Sequence, residues 1–220
     1  MTERIAVALE TAPKKSFATA VDWPGWSRSG KTPELALQAL AAYAPRYAPV
    51  VRAAGVLPPA VDGLEFDTVE THAGGSGTEF GVPGLVTGHD RRPTSAEEAP
   101  RLAAIVRAAW DYFDRVGSGA PAELRKGPRG GGRDTAKIVT HVSEADEAYA
   151  REIRIRARDL GPAAADRVAA VRAAMLEVLG QPSDGSPLGG RTWTARYAAH
   201  RIAWHALDHA WEIEDRSEPA

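Results

Sequence analysis

The stretch YAAHRIAWHALDHAWEIEDR, Tyr197 to Arg216, decides how this chain is read, because it packs three of the six histidines into a segment with almost no polar side. Of the twenty positions from Thr194 to Ile213, twelve are apolar, with Trp204 and Trp211 one heptad apart. At about 100° per residue they cover most of a helix circumference, so the spacing predicts a helix buried nearly all round. His205 and His209, four apart, share one face with Arg201 and Glu212. His200 lies about 140° from His205 and about 180° from His209, which makes it a bystander. A polar strip inside the protein needs partners. The pair can reach one metal ion, or it can hydrogen-bond Asp208, Glu212 or facing backbone, and the spacing alone leaves both readings open.

Working backward from this helix, three more helical segments are expected, at Ala96–Val116, Asp134–Arg158 and Ala163–Leu179, with the last at Thr192–Asp215. The breaks GSGAPAELRKGPRGGG, DLGP and GQPSDGSPLGG separate them. Four such helices make an all-α four-helix bundle over residues 96–216. GHDRRPTS, Gly88–Ser95, is read as a linker. Ahead of it, residues 1–90 read as a small α/β module. Strands are expected at Ile5–Thr11, Phe17–Asp22, Leu64–Thr71 and near Phe80–Val86, the first two joined by a PKK turn. Thr32 before Pro33 caps a helix that runs to Gly55, kinked or divided by Pro45 and Pro49. The fold class is therefore α+β. The glycines of HAGGSGTEFG are read as an ordinary turn, with a ligand loop as the alternative.

The composition narrows the chemistry. With 44% hydrophobic and 25% charged residues and a net charge of −2, the chain is a globular protein with no global field for nucleic acid or anionic membrane. The basic run Arg125–Arg133 is interrupted by Gly and Pro without aromatic residues, and reads as a solvated loop. There is no cysteine, so any metal must rest on His, Asp or Glu. No signal peptide or membrane span is recognisable, and a cytoplasmic protein is expected.

A third ligand must come from elsewhere. His141, early in the second predicted bundle helix, borders the apolar stripe Ile138, Val142, Ala145, Tyr149 and Ile153 and can face the interior. His72 and His89 lie in the first module or the linker. A His141, His205, His209 triad would leave coordination positions open, as a catalytic site does.

A histidine early in the second bundle helix with an HxxxH in the last resembles the DinB family, over roughly Ala96–Arg216. The resemblance implies a metal-binding triad at His141, His205 and His209. It also implies a divalent ion, zinc first with nickel or iron as alternatives, and a homodimer. Several such proteins resemble thiol-dependent transferases using low-molecular-weight thiols. A subgroup, the iron sulfoxide synthases, carries HxxxHxE, whereas this chain reads HxxxHxxE at Glu212, so that chemistry is not carried over. The stretch VDWPGWSRSGKTPELALQAL, within Ile5–Ala54, is similar to HicB-like domains, implying a binding or scaffold module.

These readings together predict a metal-dependent enzyme, a thiol transferase or hydrolase acting on a small molecule, with no nucleic-acid or membrane partner. Arg201 would bind an anionic substrate group and Glu212 would shuttle a proton. Asp208 would orient a ligand histidine, and Tyr149 and Trp204 would pack the cavity wall. The competing expectation is a non-catalytic metal- or ligand-binding scaffold with a partner-docking N-terminal module.

Overall fold

A computed structural model describes residues 4–61, 63–126, 131–160 and 164–217. Part of the Arg125–Arg133 loop and the expected helix start at Ala163 lie outside them. The fold is mixed α+β. Strands β1 (Arg4–Thr11) and β2 (Ser16–Ala20) form the expected hairpin, closed by Ala12 N donating to Lys15 O at 2.9 Å. A third strand, β3 (Ser27–Gly30), continues the meander in the segment read only as a turn and cap. Helices α1 (Pro33–Ala42) and α2 (Ala44–Ala53) follow, and β4 (Glu65–Ala73) then returns parallel to β1, giving the order β3-β2-β1-β4. Thr68 pairs with Val7 and Glu70 with Ala8, so Val69 is the extra residue of a bulge.

Thr32 caps α1 through its side chain, with Pro33 in the first turn. The expected long helix divides at Tyr43, ahead of Pro45 rather than at it. Pro45 has no N–H to continue the preceding helix and suits a first helical turn, so α2 starts afresh there. Pro49 is accommodated inside α2. Trp26 stacks on Tyr47 at 5.3 Å and donates to Leu40 O, while Tyr47 donates to Pro24 O.

No strand forms near Phe80–Val86. A short helix, α3 (Ser76–Phe80), leads into an irregular segment that wraps the buried carboxylate of Glu10. Thr78 Oγ1 and the backbone N–H groups of Gly84 and Leu85 donate to it. Gly81, Pro83 and Gly84 have little strand preference, and a buried carboxylate collects donors that a ladder would otherwise have used.

Gly88–Ser95 is also not a loose linker. A 3-10 turn at His89–Arg91 is packed against the last helix, with His89 and Asp90 buried. Glu70 accepts from Gly88 N and His89 N, His89 Nε2 meets Asp22 at 3.0 Å, and Thr94 pairs with Ser183.

Four long helices complete the chain: α4 (Glu98–Gly119), α5 (Thr135–Glu152), α6 (Ala164–Leu179) and α7 (Ala195–Ser217). They pack on one another pairwise. Ser95 and Glu98 exchange backbone-to-side-chain bonds, the capping box that starts α4. The second bundle helix ends at Glu152 rather than Arg158, because Arg154 turns left-handed (φ 66°) and reaches Gly189 O. Helix α7 is buried on nearly every side, as its composition predicts. One continuous apolar cluster joins the sheet to it, from Ile5 through Tyr47 to Trp211 and Ile213. Side chains of that size each contribute about 1.5–3 kcal/mol on burial. The Pro24–Gly25 turn lies directly on Ala203 and Leu207 of α7. Among the described residues, no helix is long and apolar enough to cross a membrane.

Candidate metal centre

The α5–α7 contact brings His141, His205 and His209 together. Their ring centroids form a nearly equilateral triangle of 5.1, 5.0 and 4.7 Å, and one ligand atom from each lies within 4.8 Å of the others. His141 Nε2 and His205 Nε2 are 3.2 Å apart. A tetrahedral ion bound at about 2.0–2.1 Å sets its ligand nitrogens about 3.3–3.4 Å apart, so this pair already has the spacing that zinc requires. Among the described residues, no Cys, Asp or Glu joins the three as a further ligand.

Burial keeps two of the rings in the form a metal needs. Desolvation, helped by the charges of His209 and Arg201, pushes the His205 imidazole down to about 2, so it is neutral. Desolvation also lowers His141. Two neutral imidazoles 3.2 Å apart require either that one donate its N–H to the other or that both direct lone pairs at a shared cation.

Glu212 stands one layer behind. Its Oε2 lies 2.9 Å from His209 Nδ1, which leaves His209 Nε2 for the centre, and its Oε1 accepts from Arg216 Nη1 at 2.7 Å. The bond to His209, with Arg216 adding to it, holds the Glu212 carboxyl below its ordinary range. A carboxylate on the far nitrogen of a histidine fixes its tautomer and orientation. Arg216 was not singled out in the sequence, although its position four residues after Glu212 is the helical ion-pair spacing.

The other predicted residues divide. Tyr149 and Trp204 wall the trio, with ring centroids 5.5 and 6.2 Å from His205. Trp193, not identified in the sequence, extends that wall by packing on Tyr149 at 5.1 Å. Arg201 faces the wall rather than Glu212: its guanidinium lies over Tyr149 and Trp204 at 5.3 and 4.8 Å. Asp208 does not orient a ligand histidine. It accepts from Arg28 of β3 at 2.8 Å, because its flank of α7 faces the sheet. His200 faces away, with Nε2 2.9 Å from Val21 O. His72 pairs with Glu70 and His89 with Asp22, so neither approaches the trio.

Beside His141 lies an open concavity of about 380 Å³ lined by Arg133, Lys137, Thr140 and Glu144. Of the trio only His141 borders it, beside the cations of Arg133 and Lys137. No family model, curated protein or solved structure matches the chain.

Proposed function

We propose that this chain is a divalent-metal-dependent, DinB-like protein whose four long helices form the family's bundle, and that it acts as a thiol transferase or hydrolase on a small molecule. The observation that carries this reading is the convergence of three imidazoles from two helices, at metal-ligand spacing, with a carboxylate on the outer nitrogen of one. His141, His205 and His209 would hold a divalent ion, zinc first with nickel or iron as alternatives, and such an ion would supply Lewis acidity that lowers the pKa of a water or thiol.

Within that reading the residues have separate tasks. Glu212 holds the proton on His209 Nδ1 and so keeps Nε2 available. Tyr149 and Trp204 exclude water from one side of the trio. Arg133 and Lys137, at the mouth of the concavity, draw an anionic substrate such as a carboxylate-bearing low-molecular-weight thiol.

The test is elemental analysis of the purified protein beside a His205→Ala/His209→Ala variant, followed by thiol-transfer and hydrolysis assays with the metal found. Near-stoichiometric metal that vanishes in the variant, together with metal-dependent turnover, is the expected result. Absence of metal and of affinity for added zinc, nickel or iron sinks the centre. Stoichiometric metal without turnover sinks the enzyme and leaves a binding scaffold.

A further inference from the structure

A second cavity lies where the sheet meets α7, and none of the three clustered histidines lines it. Leu9 and Glu10 of β1, Leu85 of the wrapping segment, and Tyr197, Arg201 and Trp204 of α7 line it. Its volume is about 40 Å³. At roughly 10–15 Å³ per water, that is room for about three waters, or for one small charged group with a short carbon tail.

The hydrogen bonding of its walls is incomplete, and donors outnumber acceptors among the unpaired atoms. Both oxygens of Glu10 are occupied, by Thr78 Oγ1 on one side and by Gly84 N and Leu85 N on the other. Asp90, also in the wall, accepts from Thr87 N and Thr87 Oγ1. His200, kept neutral by burial, donates from Nε2 to Val21 O, which leaves its Nδ1 as a buried acceptor without a donor. The donors are unspent. Trp204, only 5% exposed, has its Nε1–H buried without an acceptor. Arg201 Nη1 is likewise buried without a partner, and no carboxylate pairs with this guanidinium among the described residues. A buried guanidinium nitrogen and a buried indole N–H without acceptors beside one cavity cost free energy that an anion would restore.

The walls select among anions. A guanidinium fork matches the plane of a carboxylate. Glu10 and Asp90 repel a second negative charge, which disfavours a dianion such as phosphate. Leu9 and Leu85 suit a short aliphatic body.

We propose that this cavity binds a short aliphatic monocarboxylate, its carboxylate held by Arg201 and the Trp204 indole, with the N-terminal sheet as the opposite wall. The site uses none of the trio's histidines, and because Arg201 and Trp204 also border the trio the test is run with and without metal. It also gives the N-terminal module a role within this chain, as half of a ligand pocket rather than a docking element.

The test follows the six tryptophan indole N–H signals of the ¹⁵N-labelled protein, with and without zinc, during titration with sodium propionate against sodium chloride of equal ionic strength. Trp204→Phe removes one signal and so assigns it. The expected result is saturable movement of that signal with propionate, whether or not zinc is present. Affinity should fall about ten- to a hundredfold in Arg201→Gln, the loss of one charge-assisted hydrogen bond, and by less in Arg201→Lys. The five other indole signals report whether each variant is folded. No saturable movement means that the cavity holds water only and overturns the proposal. Equal response to sodium phosphate overturns the selection for a monocarboxylate. Unchanged affinity in a folded Arg201→Gln overturns the role of Arg201.

Discussion

His141 Nε2 and His205 Nε2 stand 3.2 Å apart although the residues are 64 positions apart in the chain. His205 is held neutral by burial, so a cation between the two rings replaces a weak ring-to-ring hydrogen bond with two coordinate bonds. Zinc is therefore expected to stabilise the fold by about 2.7 kcal/mol at a free concentration one hundred times its Kd, and a chelator should reverse the gain. Urea unfolding with and without zinc checks this. His205→Ala should abolish the increment, and a wild type indifferent to zinc contradicts the centre.

Glu212 touches the trio only through His209 Nδ1. Glu212→Ala frees that ring to rotate and to change tautomer. Metal affinity should fall about 10–100-fold, the usual effect of losing a partner behind a ligand histidine. Competition with a chromophoric chelator measures it. Equal affinities in the two proteins would reduce Glu212 to a helical ion pair with Arg216.

Gly25 has φ +89°, and a Cβ there would lie 2.9 Å from Leu207 Cδ1 and 3.0 Å from Ala203 Cβ. Gly55 has φ +74° with nothing within 4 Å of the same point. Gly55→Ala should therefore cost about 1–2 kcal/mol, the left-handed backbone penalty alone. Gly25→Ala should cost a further 1–3 kcal/mol, roughly, from crowding against α7. Urea midpoints of both variants separate the two contributions. Equal costs would mean that the Pro24–Gly25 turn does not bear on α7.

The Glu98 carboxyl lies below its ordinary value of 4.5, first because Ser95 N donates to it and then because Arg196 does. A carboxyl depressed in the folded state contributes stability above its unfolded pKa and loses it as the pH falls through the folded one. Glu98→Gln should thus cost about 0.5–1 kcal/mol at pH 7, a modest figure because the side chain is 44% exposed and screened. The gap should narrow once the pH drops below about 4.5. Chemical unfolding of both proteins across pH 3–7, roughly the span over which such a carboxyl titrates, measures it. A gap independent of pH would show that the charge of Glu98 contributes nothing.

The legibility of this chain follows the range of the interaction concerned. The β1–β2 hairpin, the Thr32 cap, the four long helices and the buried character of α7 all arise from neighbours within about one turn of helix or one pair of strands, and were readable. The strand expected near Phe80–Val86 was not, because its fate depended on Glu10 some seventy residues earlier. The linker reading of Gly88–Ser95 failed for the same reason, since Glu70 and Asp22 gather it against α7.

The candidate site divides along the same line. Residue spacing by itself determined that His205, His209 and Glu212 share a strip of α7, since helical geometry fixes that face without reference to the rest of the chain. Only the tertiary structure decided that His141 closes the triangle, that Asp208 belongs to Arg28, and that Arg201 Nη1 and Trp204 Nε1 are buried without acceptors. Those outcomes depend on which faces of distant elements are buried against one another, and such packing is a property of the whole chain rather than of any stretch within it.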